Sequence, residues 1–172
     1  MKGVMIQMKI RFLLILIVCA TFGLVGCSNE KEEVSTSHET EYVPTPHEAV
    51  NNLEGVTMRV KEGTMSSTGM TVVLENKTDK EITYGDPYTL EKNMGGKWFE
   101  VSVLESLIGY YGFNDIGYGV NPSSTNEWEV DWEWLYGKLD KGQYRLVKKY
   151  VSDFRRQGDY DQYYLAVEFE IQ

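Results

Sequence analysis

Apolar and polar residues alternate with a period of two along most of the chain from residue 55 onward. This alternation predicts strands that have one face in a core and the other in water. Gly, Asn and Asp, which are typical of turns, separate the alternating segments. We predict about seven short strands, in the segments Val56–Lys61, Met70–Glu75, Tyr88–Lys92, Lys97–Val101, Glu127–Trp134, Gln143–Val151 and Tyr163–Ile171.

Three local patterns refine this prediction. Asn93-Met94-Gly95-Gly96 lies between two alternating segments and predicts a hairpin. Glu127–Trp134 is the clearest strand, with its apolar residues on one face and its carboxylates on the other. Only Val103–Ile108 is compatible with a helical turn. Short strands that follow one another with only turns between most of them indicate an all-β antiparallel sandwich.

The N-terminal 26 residues have the organisation of an export signal. They include Lys2, Lys9 and Arg11 but no acidic residue, and the apolar run Phe12–Ala20 follows. That run is shorter than the about 20 residues that a membrane-spanning helix needs. Residues 1–26 are therefore predicted to be a signal peptide, whose translation begins at Met1 or Met8.

The signal ends in Leu24-Val25-Gly26-Cys27, which resembles the lipobox of bacterial lipoproteins. Small residues before the cysteine give a peptidase access to the bond, and a thiol is needed to form the thioether to diacylglycerol. We expect Cys27 to become the lipidated N-terminus and to hold the protein on the outer face of the cytoplasmic membrane. The alternative is an ordinary secretory signal in which Cys27 plays no part.

Residues 27–54 are predicted to be the lipidated cysteine followed by a flexible acidic tether. From Ser28 to Glu54 the chain has seven Glu and one Lys, with Pro44 and Pro46 near its end. So polar a segment cannot bury enough apolar surface to fold by itself. Both histidines, His38 and His47, lie in it, and we do not expect them to form a metal site.

Composition excludes several functions for the domain predicted at residues 55–172. The chain has a formal net charge of −9, whereas nucleic-acid-binding surfaces are basic. The domain contains no Cys and no His, so Ser–His and Cys–His nucleophilic arrangements are excluded. We therefore expect a non-catalytic protein with no cofactor, no metal and no nucleic-acid partner.

Several segments together resemble the bacterial immunoglobulin-like (Ig-like) domain carried by small Gram-positive lipoproteins. The resemblance covers nearly all of residues 55–172, and its most specific part is Leu139–Lys148. It is carried by Gly55–Met58, Leu74–Thr78, Tyr84-Gly85, Tyr88–Lys92, Gly96–Trp98 and Trp132–Lys148. The resemblance implies an Ig-like sandwich and no established activity.

The same C-terminal segment predicts a structural feature of Ig-like folds. Tyr144, two residues after Gly142, lies where a tyrosine corner would form, with Leu139 in the core below it. No disulfide can join the two sheets. Aromatic side chains must then fill the space between them, chiefly Trp98, Trp128 and Trp132.

The most informative candidate for binding is a segment rich in glycine and aromatic residues. Glycine gives a loop mobility, and tyrosine offers a rigid amphipathic contact surface, which suits a protein or glycan partner. The alternative is that these rings cover one end of the sandwich. The candidate binding residues are Tyr110, Tyr111, Phe113 and Tyr118.

Charged clusters supply weaker hypotheses. Glu127, Glu129, Asp131 and Glu133 form a row on one strand face, which favours a solvated surface over cation binding or catalysis. Asp159-Tyr160-Asp161 is expected to be a turn, although with Asp153 or Asp115 it could bind Ca²⁺. A basic cluster suited to an anionic polymer or lipid is formed by Lys148, Lys149, Arg155 and Arg156.

The sequence thus predicts a lipid-anchored extracytoplasmic protein that presents an Ig-like binding or scaffolding domain. The expected partner, besides the membrane, is an envelope protein or glycan. Two alternatives stay open: a cell-wall hydrolase or accessory enzyme that uses the strand carboxylates, and a structural spacer stiffened by calcium.

Overall fold

Two antiparallel sheets face each other and enclose an apolar core. The computed structural model describes residues 42–156 and 159–172, and the side chains of residues 42–149 and 161–172. The prediction of an all-β, Ig-like sandwich is confirmed, with eight strands in the described residues. The strands are β1 (Val56–Val60), β2 (Gly69–Asn76), β3 (Ile82–Met94), β4 (Lys97–Glu100), β5 (Tyr118–Val120), β6 (Ser124–Asp131), β7 (Gly142–Arg156) and β8 (Asp159–Ile171).

The smaller sheet has the order β1-β2-β6 and the larger one the order β4-β3-β7-β8. The short strand β5 also pairs with β3, at Ile82–Tyr84, which pair with β7 along their other edge. Strand β3 therefore has a neighbour on both edges near its two ends, whereas Tyr88–Leu90 pair with β7 alone. Because β6 follows β5 but pairs with β2, the chain crosses from one sheet to the other after β5.

The predicted hairpin joins β3 to β4 through a two-residue turn. Met94 pairs with Lys97, and the two residues between them, Gly95 and Gly96, have φ angles of 61° and 83°. Positive φ at both central positions is what a type I′ turn requires, and glycine adopts it without strain.

A register shift interrupts β3 between Tyr84 and Tyr88. Pro87 lies within it, at a position where proline's missing N–H removes no ladder hydrogen bond. Bulges bend a strand and redirect side chains. Here the bulge carries Asp86 to the rim of a surface cleft described below.

Trp132 and Tyr144 are buried in the core between the two sheets. Both rings stack on Phe169, with centroid distances of 5.4 Å and 5.8 Å. Trp128 packs against the core from its edge. The expectation that Trp98 also fills this space is wrong, because Trp98 stacks on the guanidinium of Arg145 outside the core cluster.

Tyr144 makes the contact that a tyrosine corner requires. Its hydroxyl donates a hydrogen bond of 3.0 Å to the backbone carbonyl of Asp140, four residues upstream. Leu139 is buried beneath it in the core. Gly142, at the start of β7, has a φ of 153°.

The strand predicted at Glu127–Trp134 ends earlier than its alternation suggests. Strand β6 stops at Asp131, and Glu133–Tyr136 form a short helix, α1. The Asp131 carboxylate accepts a hydrogen bond of 2.9 Å from the backbone N–H of Glu133, which helps the chain to turn. As a result Trp134, expected on the apolar face, is 44% exposed.

Other boundaries also differ from the prediction. A single 3-10 turn at Glu105–Leu107 lies inside the segment expected to be helical, and β5 was not predicted. Asp159 and Asp161 belong to β8 rather than to a turn. The reason is that β7 and β8 continue their pairing beyond the segments with clear alternation.

The end of the predicted tether lies against the folded domain. Pro44 forms an isolated antiparallel β-bridge with Phe99. The backbone N–H of Asn51 donates a hydrogen bond to the carbonyl of Tyr164. The Asn51 side chain accepts a bond of 2.9 Å from the N–H of Ala166. These contacts satisfy backbone groups at the edges of β4 and β8, which would otherwise be exposed.

A buried ion pair fastens this segment to the larger sheet. Glu91 and Arg145, 0% and 5% exposed, pair across β3 and β7. Thr45 donates to the second carboxylate oxygen, and Arg145 donates to the carbonyl of His47 at 3.1 Å. The prediction that the tether is flexible up to Glu54 is therefore wrong for His47, whose ring also contacts Tyr164.

Residues 1–41 lie outside the described residues, so the signal peptide, Cys27, His38 and most of the tether remain predictions. Among the described residues, no helix is long and apolar enough to cross a membrane.

Candidate functional site

A surface cleft with aromatic walls opens beside the exposed edge of β6. Its volume is about 220 Å³. Strand β3, the segment after the 3-10 turn, β6 and α1 all contribute to it. We call it the aromatic cleft; its lining residues are Asp86, Tyr88, Gly112, Phe113, Asn114, Trp128, Glu129, Val130, Asp131 and Trp134.

Phe113 is at the centre of the aromatic wall. Its ring contacts Tyr88 and Trp134, with centroid distances of 5.6 Å and 5.8 Å. Tyr111 contacts the same ring edge-on at 6.3 Å. On the inner side, Tyr88 contacts Trp128 at 5.7 Å. Residues far apart in sequence thus form one continuous aromatic surface.

The structure brings only some of the predicted binding residues together. Phe113 lines the aromatic cleft and Tyr111 lies against it, whereas Tyr110 is 90% exposed and does not line it. Tyr118 lies on β5, where its ring packs on Tyr84 at 5.4 Å. The four residues are therefore not one patch.

Three lining aromatic residues were missed as site residues: Tyr88, Trp128 and Trp134. The first two lie in predicted strands, where an aromatic side chain indicates core. Trp134 was assigned to an apolar strand face. One feature of the sequence did indicate a helical turn at Trp134: a glycine, Gly137, follows it, and glycine commonly ends a helix. In the structure Gly137 has a φ of 72° and ends α1.

Carboxylates supply the charge of the aromatic cleft. Asp86 comes from the bulge in β3, and Glu129 and Asp131 come from β6. The lining contains no Lys, Arg or His. The hydroxyl of Tyr88 donates a bond of 3.1 Å to the backbone carbonyl of Asp131 and so ties the two strands together across the floor.

Lys148 lies beneath this floor. It is completely buried, and its ammonium lies 3.7 Å from the ring centroid of Trp128. The same group donates a bond of 2.9 Å to the backbone carbonyl of Asp86. Burial lowers the pKa of Lys148 from 10.5 to about 7, although the Asp86 carboxylate acts in the opposite direction.

The predicted basic cluster is therefore not a surface feature as a whole. Lys148 and Lys149 point to opposite sides of β7, the first buried and the second exposed. Adjacent residues of a strand always diverge in this way. The side chains of Arg155 and Arg156 lie outside the described residues.

Tyr88, which lines the aromatic cleft, and Tyr136, whose ring lies beside it, remain neutral at physiological pH. Burial, reinforced by Tyr136 and Asp131, raises the pKa of Tyr88 well above 10.0. Burial raises the pKa of Tyr136 to about 12. Tyr88 can contact a ligand, but neither tyrosine provides a ready base.

Comparison with known proteins decides the family. The sequence pattern of the bacterial Ig-like domain matches residues 52–170, more than half of the chain. The chain belongs to the bacterial Ig-like domain family. No curated protein matches the chain. A crystal structure of a protein from Archaeoglobus fulgidus is similar at 16% identity over 70% of this chain and 96% of that one, with a TM-score of 0.31.

Bacterial Ig-like domains are typically non-catalytic modules that bind or support other molecules. Two members of the predicted carboxylate row, Glu129 and Asp131, line the aromatic cleft, so the row is not simply a solvated surface. Glu127, Glu129 and Asp131 are exposed on β6, and Glu127 pairs with Lys61 at 2.7 Å. Glu133 lies in α1 and not in the row.

Within residues 42–156 and 159–172, no group of three or more His, Cys, Asp or Glu side chains could hold a metal ion. Asp115 and Asp161 are exposed, and the side chains of Asp153 and Asp159 lie outside the described residues. The calcium hypothesis therefore has no assembled site in the part of the Ig-like domain that the structure describes.

Lys148 gives the Ig-like domain a pH-dependent stability. Unfolded, Lys148 keeps its proton up to its ordinary pKa of 10.5, whereas the folded state releases it near 7. Between these values the unfolded state holds more protons, so stability rises with pH. We expect the free energy of unfolding to rise by about 2 kcal/mol from pH 7 to pH 9.

Urea unfolding across this pH range measures the effect. Lys148→Met should remove the rise, because methionine keeps the aliphatic stem without the charge. Lys149→Met, at the exposed neighbouring position, should keep it. An equal rise in all three proteins would show that another group is responsible.

Proposed function

We propose that this protein is an extracytoplasmic lipoprotein that presents a non-catalytic Ig-like binding domain at the cell envelope. The aromatic cleft is the observation that carries the binding role. A domain with only a spacer function has no need for an open cleft in which four aromatic rings and three carboxylates converge. The partner is an envelope protein or glycan, and the aromatic cleft receives one small group of it.

The order of segments supports the anchoring. A basic start, a short apolar run and Leu24-Val25-Gly26-Cys27 precede the family domain, which begins near residue 52. Lipid chains contribute about 0.8 kcal/mol per buried methylene, so two or three of them hold a protein on a membrane. The remaining part of the acidic segment separates the domain from the membrane surface.

Cys27→Ser tests the anchor. We expect the native chain to sediment with membranes almost completely and the variant to appear in the soluble or secreted fraction, because serine cannot form the thioether. Cell fractionation with immunoblotting measures the distribution. A variant that stays with the membranes as firmly as the native chain would contradict lipid anchoring through Cys27.

Trp134→Ala tests the binding surface. Trp134 lines the aromatic cleft and is 44% exposed, so its loss removes contact area with little loss of core packing. We expect retention of the envelope partner by the immobilised chain to fall at least tenfold. The measurement is a pull-down from envelope extract that uses the chain from residue 27 onward with Cys27→Ser.

Tyr110→Ala is the matched control for that experiment. Tyr110 is 90% exposed in the same region but does not line the aromatic cleft, so its replacement should leave retention unchanged. Thermal unfolding of both variants should stay within a few degrees of the native chain. Equal retention by the native chain and Trp134→Ala would exclude the aromatic cleft as the binding surface.

A further inference from the structure

We propose that the aromatic cleft binds a substituted ammonium group, either on a small organic cation or as the head group of a larger molecule. This inference rests on the proposed binding function and names the chemistry of the ligand. Three features of the described residues support it: the size of the cavity, its rings and its charge.

The size favours a compact group. Small-molecule pockets commonly measure about 300–1,000 Å³. The aromatic cleft, at about 220 Å³, is smaller. A trialkylammonium group fits this space, whereas an oligosaccharide or a folded peptide would extend well beyond it.

The rings suit a cation. Cations bind over the faces of Trp, Tyr and Phe, and Trp is the most favourable. Two indoles, a phenol and a phenyl ring line the aromatic cleft. The molecule already contains one such contact here, because the ammonium of Lys148 lies 3.7 Å from the ring centroid of Trp128.

The charge of the lining selects a cation over a neutral group. Asp86, Glu129 and Asp131 surround the cavity, and among the described residues no ion pair engages them. Like charges around one cavity repel one another, and a bound cation removes that repulsion. Even with Lys148 protonated beneath the floor, the cavity keeps an excess of two negative charges.

The Asp131 carboxylate is oriented by a backbone contact. One oxygen of Asp131 accepts a hydrogen bond of 2.9 Å from the backbone N–H of Glu133. Hydrogen bonds from neutral donors orient a carboxylate without cancelling its charge. The remaining oxygen can then face a cation held by the rings.

Choline chloride is the probe that tests this inference, and the indole N–H signals in NMR spectra are the readout. The chain has four tryptophans, of which only Trp128 and Trp134 line the aromatic cleft. With the Cys27→Ser chain from residue 27 onward, we expect saturable shifts of these two signals. The signals of Trp98 and Trp132 should stay in place.

Two controls separate charge from shape. The neutral isostere 3,3-dimethylbutan-1-ol should bind at least tenfold more weakly than choline. Glu129→Gln should weaken choline binding three- to tenfold, whereas Glu127→Gln, on the same strand but outside the lining, should have no effect. Equal binding of choline and its isostere, or no shift with choline, would overturn the inference.

A second experiment shows whether the ammonium group belongs to a lipid or to a soluble molecule. Vesicles of phosphatidylcholine, compared with vesicles of phosphatidylglycerol, show whether the group is recognised on a lipid surface; binding of free choline alone indicates a soluble ligand. If choline fails while Trp134→Ala still abolishes retention of an envelope partner, the binding function holds and the cationic ligand is wrong. If retention also survives that substitution, both are wrong.

Discussion

Trp132→Ala is expected to destabilise the domain by about 3–5 kcal/mol, the cost of removing a large buried aromatic ring. Trp132 is fully buried and stacks on Phe169. Its indole N–H donates a bond of 3.0 Å to the carbonyl of Ser67, and the substitution removes this contact. Since domains are commonly stable by only about 5–15 kcal/mol, this change removes a large part of the total.

Guanidinium unfolding followed by circular dichroism measures the effect without relying on tryptophan fluorescence. Trp98→Ala is the matched control, because Trp98 is half-buried and lies outside the core cluster. We expect it to cost much less. A similar loss in both variants would contradict the assignment of Trp132, and not Trp98, to the space between the sheets.

Arg145→Met is expected to cost about 3–5 kcal/mol, because it leaves the carboxylate of Glu91 buried without its cation. Glu91 is 0% exposed and would keep only the hydroxyl of Thr45 as a side-chain partner. The double variant Glu91→Leu with Arg145→Met should recover most of the loss, since an apolar pair leaves no buried charge.

The same substitution should also release the segment before β1. Arg145 donates to the carbonyl of His47, and Thr45 bonds Glu91, so the ion pair connects residues 45–47 to the larger sheet. Limited proteolysis should cut this segment faster in Arg145→Met than in the native chain. Unchanged stability and unchanged cleavage would show that the pair does not hold it.

Alternation predicted the architecture because each sheet has one face in the core between the sheets. Val56–Lys61 and Met70–Glu75 were predicted almost to the residue, since β1 and β2 end where the pattern ends. The pattern failed at Trp132-Glu133-Trp134. There the alternation of types continues, but the backbone turns into α1, and only the contacts of Asp131 with Glu133 and of Trp132 with Ser67 show why.

The candidate site was predicted only in part because it is assembled from distant segments. The loop that contains Tyr111 and Phe113 was recognised by its glycines and aromatic residues. Its partners Tyr88 and Trp128 looked like ordinary strand residues, and their place in a cleft depends on the bulge in β3 and the open edge of β6.

Tether and charge predictions failed for a related reason. Composition described Thr45 and His47 as part of a polar spacer, yet both bind to a buried ion pair across the sheet. Lys148 and Lys149 looked alike in sequence, whereas the pleat of β7 buries one and exposes the other. Local composition does not contain these long-range contacts.

Photo-cross-linking in intact cells tests the central claim, that the aromatic cleft receives an envelope partner, most directly. The photoreactive residue p-benzoylphenylalanine would replace Trp134 in one strain and Tyr110 in another, in the lipidated full-length chain. We predict a discrete adduct from position 134 after irradiation and none from position 110. Adducts from neither position, or equal adducts from both, would contradict a specific binding function of the aromatic cleft.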